Sequence, residues 1–457
     1  MTHRLLLFGL TAGLATGMFA QTSNLSPDLQ AMMTPQQTGA TNRAYISPDR
    51  SVRPFLDLTD AAVNANIARQ YGYNGKGIGI ALIDSGVAQH PDLSPRVVHR
   101  EDFRGENSGE DAYGHGTHVA GILASDGADS FGSQYTRTFR GLAPAATIVS
   151  LRVLDANGNG ADSAVVLAIY RAIALKNTYN IRVINLSLGR QVFETYTLDP
   201  LCQAVEAAWK AGIVVVVGAG NGGRDNSQNT DGYDTITAPG NDPYVITVGA
   251  MKTMGTPQRS DDLIASYSSK GPTLLDQVVS LMAPNCTLST TYAQTLVPLS
   301  YYMNPAGSGN SSTYFRLNGT NMATPVVSGA AALLLQKTPS LTPDQIKGRL
   351  MKTATKDFPV SSVATDPTTG LTYTSYYDIF TAGAGYLDIM AALNSTDVAW
   401  LPALSPTAVY NAASGTVSLV TAGNVVWGTN VVWGTNVVWG TGVTPTEAAS
   451  IALNGEN

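Results

Sequence analysis

Short apolar runs recur through the middle of the chain, at residues 78–83, 147–151, 183–186, 213–217 and 245–248. They are rich in Val and Ile and lack the alternating polar positions of a half-exposed strand. That pattern predicts strands buried on both faces, as in a parallel sheet. Amphipathic segments at 115–124, 162–176 and 201–211 fall between them and predict helices. A further helix is expected over 60–71, where Ala62, Val63, Ile67 and Ala68 recur at helical spacing behind a capping Asp or Thr. Strands alternating with helices imply right-handed crossovers and a doubly wound α/β sheet, mainly parallel.

The ends of the chain break this rhythm. Arg4 precedes an apolar stretch from Leu5 to Phe19, which reads as a signal peptide over 1–20, too short for a comfortable membrane span. A retained anchor is the other reading. Residues 21–55 are polar and rich in Gln, Ser, Thr and Pro, as a linker or short propeptide would be. The main domain is placed at 56–395, and 396–457 forms a small β-prone extension. Within it Asn-Val-Val-Trp-Gly-Thr recurs, placing Trp427, Trp433 and Trp439 on one side of an extended strand. Those rings either pack on the main domain or form an aromatic binding strip.

Composition narrows the partners. Of 457 residues only 13% are charged, 44% are hydrophobic and the net charge is −6 without a basic stripe. That suits an exported globular protein, secreted or at the cell surface, and excludes a nucleic-acid binder. With the leader removed, no membrane partner is expected. Oligomeric state leaves no mark in the sequence. Cys202 and Cys286 can pair or stay as two buried thiols, and their spacing suggests no metal site.

Ligands of doubly wound sheets bind beyond the carboxyl ends of strands. Asp84 and Asn221 each follow an apolar run, while His115 and Asn321 open helical segments, so the four can meet at one edge. Their settings are Asp84-Ser-Gly, Gly114-His-Gly-Thr-His-Val-Ala-Gly, Val217-Gly-Ala-Gly-Asn-Gly-Gly and Gly319-Thr-Asn-Met-Ala-Thr-Pro. In that order the stretches resemble the subtilisin-like serine proteases, or subtilases. The resemblance implies that His115 is the general base, Asp84 orients it and Asn221 donates to the oxyanion. It also implies that Ser187, Leu188 and Gly189 pair with an extended peptide or protein substrate. Gly218, Ala219 and Gly220 would complete a side-chain pocket.

The family's nucleophilic Ser is replaced here by Asn321. A histidine base cannot turn an amide into an attacking group, so the expectation is an endopeptidase scaffold without efficient hydrolysis. It is then either a natural peptide-binding pseudoprotease or a copy carrying a substitution. Rescue by another hydroxyl would require Thr320, Ser311 or Ser312 within about 3 Å of His115. Asn is a good helix N-cap, which would make Asn321 easy for the fold to accept.

No cofactor is required by this reading. Gly218-x-Gly220-x-x-Gly223 imitates a dinucleotide fingerprint, but a polar run follows it where a helix should open. His115 and His118 have metal-like spacing without a third ligand, and the family treats the second as structural. Asp92, in His90-Pro-Asp-Leu, matches a family stretch that is not catalytic. A structural calcium ion would draw on Asp126 and Asp129, two carboxylates where six or more oxygens are usual.

Overall fold

Five of the six central strands come from the five apolar runs. In the computed structural model these are β1 (Gly79–Asp84), β3 (Thr147–Arg152), β4 (Ile181–Leu186), β5 (Val214–Gly218) and β6 (Ile246–Val248). The sixth, β2 (Val97–Asp102), is an edge strand of mixed polarity. The order is β2-β3-β1-β4-β5-β6, and every pairing is parallel. β1 lies in the middle and all its residues are buried. Described are residues 45–46 and 56–420, apart from 107, 228–231, 257, 271–277, 283–285, 367–368, 378, 406 and 412–415. The leader, nearly all of the 21–55 segment and the Trp repeat lie outside the described residues. None of the described helices is long and apolar enough to cross a membrane.

Two layers of helices cover the sheet. α1 (His115–Ala124) packs on β1 and on α4 (Thr320–Lys337), which lies across β4, β5 and β6. On the other face α2 (Asp162–Tyr179) packs against β1, β3 and β4, and α3 (Pro200–Lys210) against α2 and β5. The doubly wound α/β fold expected from the sequence is therefore the fold found. Every residue of α1 is buried, as is α4 through Leu335 except Asn321. Helices apolar all round belong inside a protein, and these two form the floor beneath the strand ends.

The helix expected over 60–71 is instead two short ones, Leu56–Ala62 and Ala65–Gln70. Asn64 breaks them with a left-handed φ of 62°, a conformation Asn tolerates better than most residues. Its side-chain amide donates to Asp388 at 3.1 Å. A tertiary partner thus overrides the local periodicity.

Beyond α4, α5 (Pro343–Thr353) starts with a capping box between Thr342 and Gln345. The chain from 397 to 405 then runs along α5 as a strap. Arg349 donates to the Asp397 carbonyl at 2.8 Å, Gln345 to the Ala399 carbonyl at 3.3 Å, and Ala403 N–H to Asp344 at 2.7 Å. Lys347 is 2% exposed and donates to the carbonyls of Pro243 (2.7 Å) and Tyr244 (3.2 Å) and to Ser405 Oγ (3.0 Å). Burial pushes its ammonium down to about 7, against the pull of Asp242 and Asp344.

Lys347→Met would remove the donor to the Tyr244 carbonyl and one of two donors to the Pro243 carbonyl, which keeps the Ser405 N–H at 2.9 Å. The variant is expected to lose about 1–3 kcal/mol of stability at neutral pH in denaturant unfolding. The sign with pH follows from the lowered pKa. The unfolded chain takes up the Lys347 proton as pH falls below about 10.5, and the folded chain only near 7. The parent should therefore gain stability as pH rises across that window, and the variant should lack this increment.

Candidate active site

Asp84 ends β1 and His115 opens α1, so strand end and helix start bring the two together. Asp84 is 1% exposed, and its Oδ1 accepts from His115 Nδ1 at 2.7 Å. Because a carboxylate only accepts, Nδ1 carries the proton and neutral His115 presents a bare Nε2. The same Oδ1 accepts from Ser85 N–H at 2.7 Å. Gly116 allows the close approach: a Cβ there would lie 2.1 Å from the Gly86 carbonyl oxygen. Burial pushes the His115 imidazole toward lower pKa, but the charge and hydrogen bond of Asp84 and the charge of Asp111 outweigh it. The net direction is up.

Asp111 was not singled out from the sequence. It is 3% exposed and fastens the loop after β1 to the first turn of α1. Its carboxylate accepts from Ser85 Oγ, Gly114 N–H and Thr117 N–H at 2.7 Å each, and from Thr117 Oγ at 2.6 Å. Ser85 Oγ in turn accepts from Gly116 N–H at 2.9 Å. An acidic residue just ahead of a helix start was the available signal, since anions favour that end of the helix. Asp111→Asn removes a charge that raises the His115 pKa and keeps only one acceptor oxygen. The His115 titration followed by NMR should move to lower pH, with about 1–3 kcal/mol of stability lost.

Asn321 sits opposite His115. Gly319, with φ 135°, is the N-cap of α4, so Asn321 lies inside the first turn and does not cap the helix as expected. Its side chain turns outward instead. Nδ2 donates to the Ser187 carbonyl at 2.8 Å and stands 3.3 Å from His115 Nε2. Ser187 O can only accept, which fixes the amide orientation, and the second amide hydrogen then faces the bare Nε2. Oδ1 lies 3.5 Å from Thr320 Oγ1.

Pro325 explains the remaining bond. It stands four residues after Asn321 and has no N–H, so the Asn321 carbonyl lacks its helical partner. Ser187 Oγ donates there at 2.7 Å, while accepting from Asn185 Nδ2 at 3.0 Å. Asn185, fully buried, also accepts from Ser328 Oγ at 2.8 Å. Asn185 and Ser328 were likewise not anticipated, because lone polar residues inside apolar runs carry no sequence signature.

Asn221 follows β5. Its Oδ1 accepts from Thr320 N–H at 2.9 Å, which leaves Nδ2 as the group free to turn toward a ligand. Two of the hydroxyls considered as substitutes are engaged with other partners. Thr320 Oγ1 accepts from Gly220 N–H at 3.2 Å, and Ser311 Oγ bonds Tyr302 and the backbone of Thr313 and Tyr314. The loop after Gly218 opens no helix within the described residues.

Comparison with known proteins bears on this arrangement. The model of the subtilase family (peptidase S8) matches residues 75–373, well over half of the chain. The chain belongs to the subtilase family. This subtilase is 37% identical over 326 residues to serine protease AprX of Bacillus subtilis (strain 168), spanning 67% of this chain and 68% of that protein. Subtilisin DY of Bacillus licheniformis is 38% identical over 296 residues, covering 64% of this chain and 89% of its own. Among solved structures, Sphericase aligns with a TM-score of 0.51 at 27% identity, over 69% of this chain and 92% of that one. MycP1 with its N-terminal propeptide removed gives 0.51 at 25%, over 76% and 98%.

In this subtilase Thr237 stands against both Gly189 and Gly220, which brings the segments at 187–189 and 218–220 close together. A Cβ on Gly189 would meet Thr237 Oγ1 at 2.4 Å, and one on Gly220 would meet Thr237 Cγ2 at 2.9 Å. Thr237 is also held to the second segment by its N–H, which donates to the Ala219 carbonyl at 3.0 Å. Thr237 escaped the sequence reading because a single Thr in a loop looks like any other.

The two cysteines are both buried and unpaired, which closes the disulfide alternative. His118 is fully buried with its ring edge on Phe315 at 5.0 Å, in keeping with a structural role. Asp126 pairs with Arg96 at 3.0 Å and accepts from Ala128 N–H at 3.0 Å. Among the described residues no three His, Cys, Asp or Glu side chains converge as metal ligands would.

Proposed function

We propose that this subtilase is an exported member of a serine endopeptidase family that lays extended peptide across His115 and, as written, hydrolyses it poorly or not at all. Asp84 orients His115, His115 is the base and Asn221 the oxyanion donor. Ser187, Leu188 and Gly189 line one side of the peptide, and Gly218, Ala219 and Gly220 the other. The observation that carries this reading is the 3.3 Å approach of Asn321 Nδ2 to His115 Nε2. The atom facing the base should surrender a proton and then attack a carbonyl carbon. An amide nitrogen has its lone pair delocalised and does neither.

Labelling with a fluorophosphonate, read by intact mass, tests the assignment of position 321. Asn321→Ser should gain one adduct that is lost on His115→Ala, and the parent chain should gain none. An adduct on the parent would show another activated hydroxyl and sink the assignment.

A further inference from the structure

Asn321 does more than lack a hydroxyl, because its amide occupies Ser187 O, an acceptor that a bound peptide would use on the proposed reading. One hydrogen of Nδ2 goes to the Ser187 carbonyl at 2.8 Å, and the other faces His115 Nε2 at 3.3 Å. On the proposed reading, Ser187 O is the backbone acceptor that a peptide would meet beside the base. Ser187 itself cannot swing away. Its Oγ is tied to the Asn321 carbonyl at 2.7 Å and to Asn185 at 3.0 Å, with Asn185 anchored on Ser328 at 2.8 Å.

We infer that Asn321 acts as a resident competitor, its side-chain amide standing in for a backbone N–H of an incoming peptide and lowering the affinity of the cleft for peptide. The inference rests on the reading that peptide crosses His115 beside Ser187. A peptide N–H that pairs with Ser187 O must first displace Asn321 Nδ2, and an N–H group replaced by another N–H gains little net energy. The displaced amide must also find new partners beside a buried base. Backbone pairing of this kind gives a peptide most of its sequence-independent affinity. Removing the competitor should therefore strengthen binding for many sequences alike, whereas widening a side-chain pocket would favour a few.

The test compares the parent chain with Asn321→Ala and Asn321→Ser. Binding is measured by anisotropy of fluorescein-labelled β-casein, an unstructured protein, and of two short labelled peptides of unrelated sequence. Asn321→Ala frees Ser187 O without supplying a nucleophile and should lower Kd for all three probes by about two- to tenfold. Asn321→Ser is assayed for cleavage of the same casein, and circular dichroism establishes that both variants are folded. Cleavage by Asn321→Ser with no tightening by Asn321→Ala overturns the competitor and leaves the functional reading standing. A folded Asn321→Ser that does not cleave overturns the functional reading itself. Tightening for one peptide alone overturns the competitor as well, since it points to a side-chain pocket.

Discussion

Asn321→Ser is expected to raise turnover of a peptide substrate by about a millionfold over the parent chain. Loss of the nucleophile costs subtilisin, a member of this family, about that factor, and this chain faces the reverse change. On the proposed reading the other groups are already positioned. His115 presents a bare Nε2, its Nδ1 is held by Asp84 at 2.7 Å, and Asn221 is turned by its bond to Thr320 N–H at 2.9 Å. The new hydroxyl would sit on the first turn of α4, whose entry is fixed by the Ser187 and Asn185 bonds. Initial rates on a chromogenic peptide anilide and on casein provide the check. Equal, negligible rates for both chains would overturn the proposed function. The pH profile of the variant should rise with deprotonation of His115. That limb should lie above the ordinary imidazole range, because Asp84 and Asp111 raise the pKa.

Asp84→Asn, made in the Asn321→Ser background, is expected to lower kcat by about ten-thousandfold, as loss of the equivalent charge does in serine proteases. Asp84 Oδ1 accepts both His115 Nδ1–H and Ser85 N–H. An amide there can turn its nitrogen to the ring and force the imidazole proton onto Nε2, the wrong side for a base. Removing the charge also lowers the His115 pKa, so the rising limb should move to lower pH as the plateau collapses. A loss below about tenfold would show that the carboxylate serves packing and not the base.

How far the sequence foretold the molecule depended on whether a residue's signal was local. Short, β-branched apolar runs such as 213–217 favour strands inside a covered sheet, and five strands were legible from them. β2 was not, since Val97–Asp102 is half exposed at the sheet edge and holds Arg100, Glu101 and Asp102. Asp84, His115 and Asn221 were legible because each sits in a stretch dense with glycine at a strand end or helix start. Asp111, Asn185, Ser328 and Thr237 work through partners far away in sequence, and no window along the chain contains both ends of those bonds. Asn321 was expected to cap its helix and does not, since Gly319 takes that place. Its side chain answers to Ser187 and His115, from other elements, and not to its own helix.

The bonds that satisfy Asn321 bear on how such a site changes over generations. A polar residue left without partners in a buried cleft would weaken the fold and be selected against on that account alone. Here the two amide hydrogens meet acceptors and the carbonyl lost to Pro325 is taken by Ser187, so the substitution carries little penalty in folding. Asn and Ser codons can differ by a single base. On the reading proposed for this site, lineages could pass between a cutting and a holding state without an unstable intermediate, and the base with its carboxylate would persist unstrained through either.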